Sequence, residues 1–134
     1  MSNKALRILI ADEQHFHRMK VERLFNHLGY FRIAPVNSLE ELLTLVDYGS
    51  KPFDAVVINA SLGGEALDLL EFLRDHPQVR HALIYHGQQA RLPIRVEQNV
   101  EVSHGALPDL PSIQRLIAII DPGLPFVGTV ISVR

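Results

Sequence analysis

The chain has 134 residues, 13 basic and 15 acidic side chains, a formal net charge of −2, and no cysteine. Near-neutral charge with scattered basic residues gives no footprint for nucleic acid or an anionic membrane surface, and the missing cysteines exclude disulfides, thiolate metal ligands and a cysteine nucleophile. No apolar run approaches the ~20 residues of a membrane span, and the opening segment, interrupted by Arg7, is too short for a signal peptide, so a single cytoplasmic domain is expected.

Leu6 to Ala11 (LRILIA) reads as a short buried strand that stops at Asp12-Glu13. Gln14 to Leu28 takes helical spacing, with Val21, Leu24, Phe25 and Leu28 on one stripe and Gly29 as a stop. Tyr30 to Val36 is a second strand, which Pro35 directs to a sheet edge. Ser38-Leu39-Glu40-Glu41 is a capping box that opens a helix with Leu39, Leu42, Leu43 and Val46 on its apolar side. Phe53 to Ile58 is apolar on both faces and therefore belongs at the centre of a covered sheet. Ala66, Leu69, Leu70 and Leu73 repeat the helical stripe. Ala82–Tyr85 and Val100–Ser103 give a fourth and a fifth strand. Ile113, Leu116, Ile117 and Ile120 mark a last helix, opened by Asp109 or Ser112 with Pro111 in its first turn.

Strands alternating with helices over short connections imply parallel strands and right-handed crossovers. The expected architecture is α/β: a flavodoxin-like, doubly wound, five-stranded parallel sheet with its site at the carboxyl ends of the strands. Two stretches break the rhythm. GQQARLPIRVEQNVEV carries Pro93 and then alternating apolar positions, which predicts a short fourth helix whose end gives way to extended chain. After Asp121, the β-branched tail LPFVGTVISVR predicts an extra C-terminal strand. The organisation expected is a domain over 1–121 and an extension over 122–134 packed on the domain or on a partner.

Asp12, Glu13 and Asn59 leave two neighbouring strands at the same end, a convergence suited to phosphate or metal. Here the chain resembles the receiver domain of bacterial two-component response regulators, from about Leu6 to Ile120. RILIADEQ resembles the first-strand signature with its paired acids, Arg18 stands where many receivers carry an Arg, and PFDAVVIN resembles the third-strand signature. The resemblance implies that Asp54 begins the strand and that Asn59 occupies the phosphoacceptor position. It also implies Mg²⁺ on the paired acids, a Ser or Thr after the fourth strand on the phosphate, and a Lys after the fifth. Positioned charge of that kind drives phosphoryl transfer.

The sequence departs from the pattern at most of these points. An Asn59 amide cannot form an acyl phosphate, His86-Gly87 stands in place of the Ser/Thr, and no Lys follows Lys51. Asp12 and Glu13 could hold Mg²⁺ weakly at most, with no other cofactor expected. Residual phosphorylation at Asp54 is remote, because it lies at the far end of its strand. The bland readings are helix capping by Asp12-Glu13, a structural amide at Asn59 and a satisfied polar side chain at His86. A His86 near Asp12 would instead be a pH sensor. His15 and His17, two apart on a helix, do not share a face and make a poor zinc pair.

The function expected is non-enzymatic: a degenerate, phosphorylation-independent receiver acting by protein–protein contact in bacterial signal transduction, as a homodimer or in a constitutive partner complex. Its contact face would include the irregular Arg91 to Val102 segment and the tail residues Phe126 and Ile131, with any catalytic or DNA-binding output supplied by another protein. The alternative is a small-ligand or weak metal-binding module using the acidic pocket. The lack of Gly in ADEQHFH argues against a nucleotide there.

Overall fold

Side-chain alternation along the buried strands divides the core between two faces of one sheet. The computed structural model describes residues 5–63, 69–86, 95–103 and 107–121. In chain order these form β1 (Ile8–Ala11), α1 (His15–His27), β2 (Ile33–Val36), α2 (Leu39–Tyr48), β3 (Ala55–Asn59), a 3₁₀ turn (Ala60–Leu62), α3 (Leu69–Asp75), β4 (Ala82–Tyr85), β5 (Arg95–Glu97), β6 (Val100–Ser103) and α4 (Leu110–Ile120). Among the described residues no helix is long and apolar enough to cross a membrane.

The sheet order is β2-β1-β3-β4-β6-β5. Its first five strands are parallel and follow the flavodoxin-like order predicted from the sequence. Ile8 and Ile10 of β1, Ala55 and Val57 of β3, and Leu83 and Tyr85 of β4 enter one core with Val21 and Phe25 of α1 and Ile113, Leu116 and Ile117 of α4. Leu9, Ala11, Val56, Ile58, Ala82 and Ile84 enter the other, with Leu42 and Val46 of α2 and Leu69 and Leu73 of α3. Full burial of each aliphatic side chain contributes about 1.5–3 kcal/mol, which explains why strands buried on both faces read as unbroken apolar runs.

The helix ends follow their local chemistry. Gly29 adopts φ 96°, a left-handed conformation that glycine takes without penalty. There it lets Gly29 N–H reach Asn26 O (3.0 Å) and Tyr30 N–H reach Phe25 O (2.9 Å), a Schellman closure of α1. Tyr30 and Phe25 then pack in the same core, and the Tyr30 hydroxyl donates to Asp121 Oδ2 (2.6 Å), tying the end of α4 to the start of β2. Ser38 Oγ accepts from Glu41 N–H at the head of α2 (3.2 Å). Asp109 caps α4 by accepting from both the backbone and the hydroxyl of Ser112, at 3.0 and 2.7 Å.

The irregular stretch before the fifth parallel strand contains β5, which pairs antiparallel with β6 and forms the sheet edge. The expected extended chain is therefore present over Arg95–Glu97, while the fourth helix predicted before it falls on residues 87–94, outside the described residues. The two strands are joined by a two-residue turn in which Gln98 takes φ 55°, the left-handed first position that tight hairpin turns require. α3 packs on both β4 and β6, so one helix covers that face of both strands. Ala66, at the head of the third predicted helix, and the C-terminal strand over 122–134 with Phe126 and Ile131 also lie outside the described residues.

Candidate functional site

The strand register, read outward from the core, builds the site. Ala11 lies opposite Ile58, and Asn59 lies opposite Tyr85. Continuing the alternation Ile8, Ile10 brings Asp12 beside Asn59, and Asn59 follows Ala55 and Val57 as Tyr85 follows Leu83. Asp12, Asn59 and Tyr85 therefore form one row across three strands at their carboxyl ends, on the side covered by α1 and α4.

Asp12 is fully buried, and its carboxylate is the hub of this row. Oδ2 accepts from Tyr85 Oη (2.6 Å), His17 Nδ1 (3.0 Å) and Asn59 Nδ2 (3.1 Å). Oδ1 accepts from the Gln14 N–H (2.9 Å). An ionised carboxylate only accepts, so the His17 proton sits on Nδ1. The Arg18 guanidinium, one residue further along α1, is held by the backbone carbonyl of Asp12 (2.6 Å) rather than by its carboxylate. Burial pushes the pKa of Asp12 upward, but the bonds from Tyr85, the Gln14 amide, Asn59 and His17 outweigh it and hold the carboxyl below its ordinary value of 3.8. Burial, reinforced by the bond to Asp12, raises the Tyr85 phenol far above its ordinary range and keeps it a donor.

Asn59 is satisfied in both directions. Its Nδ2 serves Asp12, and its Oδ1 accepts from Ser61 N–H (3.0 Å), capping the 3₁₀ turn. The amide thus works as a strand-end brace between an acid and a backbone turn. Glu13, adjacent to Asp12 in sequence, is exposed. His86 follows β4 and is half-buried. The histidine that bonds Asp12 is His17, a residue examined in the sequence only as half of a zinc pair with His15, itself exposed. Asp54 lies at the opposite end of β3, where Oδ2 accepts from the Arg7 N–H (2.8 Å) and Oδ1 is 3.6 Å from Arg80 Nε.

This donor set does not suit the divalent cation that the resemblance implies. Hard cations take six or more oxygen ligands, whereas here Oδ2 of Asp12 faces three donors and Asn59 Oδ1 is taken by backbone. Among the described residues no group of three or more His, Asp or Glu side chains gathers to hold a metal. Chemically, the row is a buried anion solvated by neutral donors.

Sequence reasoning missed Tyr85 and the role of His17. The available signal was the alternation in ALIY: a residue two after Leu83 shares its face, and a shift by one moves a side chain to the other face. For His17 the signal was weaker, a ring one helical turn above the acid that ends β1.

No protein-family model matches the chain, and no curated protein matches it by sequence. Solved structures do. The receiver domain of a CheY-like response regulator from Methylobacillus flagellatus matches with TM-score 0.62 at 19% identity, covering 87% of this chain and 98% of that one. A protein described as pilus assembly-related, from Burkholderia pseudomallei, matches with TM-score 0.55 at 20% identity over 88% and 93% of the two chains. A response regulator receiver domain protein from Bacillus halodurans matches with TM-score 0.53 at 19% identity over 90% and 97%. The fold is that of CheY-like receivers.

Proposed function

We propose that this chain is a bacterial signalling module that keeps the receiver fold, has no phosphoryl-transfer activity and acts through protein–protein contact. The observation that carries this reading is the state of Asn59: the side chain at the acceptor position is an amide, and both of its ends are already engaged, by Asp12 and by Ser61. Phosphoryl transfer needs an oxygen nucleophile and cations at the transferring oxygens. The amide provides no such nucleophile, and the neighbouring carboxylate is held by Tyr85 and His17. Mg²⁺ is accordingly not a working cofactor of this module. Its signalling role resides in surface contact, in the cytoplasm, with a second copy or a standing protein partner. The contact face includes the β6 side of the sheet, and Phe126 and Ile131 are contact residues on this reading.

The test is incubation of the full chain with acetyl phosphate and Mg²⁺, followed by intact mass measurement. The wild type stays unlabelled. Mg²⁺-dependent labelling would overturn the proposal, as would tight, saturable Mg²⁺ or phosphate shifts in the NMR signals of Asn59. Truncation at Pro122 weakens capture of the native protein partner; equal capture without the tail removes Phe126 and Ile131 from the contact.

A further inference from the structure

The two edges of the sheet differ in what their backbones offer. At β2, Ile8 N–H donates to Arg32 O (2.9 Å) and Asp12 N–H to Val36 O (3.1 Å). In a parallel ladder with Ile8 opposite Ile33 and Ile10 opposite Pro35, it is Ile33 and Pro35 that face outward. Ile33 N–H is already engaged by Phe31 O (3.0 Å), and Pro35 has no N–H. The β2 edge therefore has no outward donor left for another strand. This is a common way of protecting an edge.

At β5 the geometry is the reverse. Glu97 and Val100 close the two-residue turn as a register pair, followed by Val96 with Glu101 and Arg95 with Val102. Antiparallel pairs alternate between bonded and non-bonded, and a two-residue turn is closed by a bonded pair. Val96 is thus a non-bonded position toward β6, and both its N–H and its C=O point to the free edge. Among the described residues nothing pairs with that edge.

Resting on the contact reading above, we propose that the outer edge of β5 is a homotypic docking surface. Two copies of the chain pair antiparallel about a two-fold axis at Val96, joining their sheets into one. The sequence RVE is self-complementary in this register: Val96 meets Val96 of the second copy, and Arg95 stands opposite Glu97 of the second copy, twice over. Opposite charges across an antiparallel pair are stabilising. A pairing centred one residue further would set Glu97 against Glu97, so charge selects the register as well as the partner.

The experiment is sedimentation velocity on the full chain over a concentration series, with circular dichroism on each variant. The wild type forms a concentration-dependent dimer. Arg95→Glu places like charges opposite one another and weakens dimerisation about tenfold. The double variant Arg95→Glu/Glu97→Arg restores complementarity and returns the dimer. Val96→Pro removes only an outward N–H, leaves the β5–β6 ladder bonded and gives monomer. A wild type that is monomeric throughout, a dimer indifferent to Arg95→Glu, or a double variant that does not recover would each overturn the pairing. A monomer that still captures a protein partner and stays unlabelled by acetyl phosphate would sink β5 pairing alone. Labelling would sink the function proposed above whatever the oligomeric state.

Discussion

The row at the carboxyl ends of β1, β3 and β4 and the edge formed by β5 make opposite use of polar groups. In the row, a buried carboxylate receives four hydrogen bonds from four residues, and its neighbouring amide is engaged at both ends. Among the described residues the only buried side-chain N or O atom without a partner is Gln78 Oε1, which is not part of this row. At β5, by contrast, the outward backbone of Val96 pairs with no other strand among the described residues. A site that must react keeps a lone pair or an open coordination position available, and a surface that must bind keeps donors and acceptors facing out. Among the described residues that availability lies at the edge and not in the row.

Removing the hub breaks this contrast most severely. Asp12→Ala strands the Tyr85 hydroxyl, the Asn59 amide and His17 together, and an urea titration is expected to record a loss of about 3–5 kcal/mol. A loss below about 1 kcal/mol would mean that water reaches these donors and that the row is not sealed. Next, Tyr85→Phe removes the shortest of the bonds to the Asp12 carboxylate and is expected to cost about 1.5–3 kcal/mol.

The pH dependence sharpens the comparison further. The folded state holds Asp12 below its ordinary value of 3.8, so its contribution is fully present above about pH 4 and is lost as pH falls through the folded value. Wild-type stability should therefore decline below about pH 4, and in Tyr85→Phe, where one lowering bond is gone, the decline should be smaller in total and complete at a higher pH. Thermal melts across that range measure both. The smallest effect is expected at the neighbouring acid: Glu13→Gln, on an exposed side chain, should stay within about 0.5 kcal/mol of wild type. A larger change there would place Glu13 in the network after all.

The sequence made some parts of this structure more readable than others, for physical reasons. β1, β3 and β4 were legible because burial on both faces leaves runs such as AVVI with no polar interruption. α2 and α4 were legible because capping is local: Ser38 reaches Glu41 and Asp109 reaches Ser112 within three residues. Asn59 and Asp12 were legible as neighbours because β1 and β3 adjoin in a doubly wound sheet. Tyr85 and His17 were not, since a side chain's partner across strands depends on register, which alternation alone leaves free by two residues. The β5–β6 hairpin was also faint. Gln98-Asn99 lacks the glycine that usually marks a tight turn, and Gln98 adopts its left-handed conformation without that signal.

The Tyr30–Asp121 bond has a consequence for wiring. α4 starts near the pole where Asp12 resides and runs about 16 Å to Asp121, which is fastened beside the entry to β2. Asp121 and the end of α4 are therefore held at the pole opposite Asp12 and Asn59. A Tyr30→Phe substitution is expected to loosen this far anchor of α4 while leaving the Asp12 hub untouched.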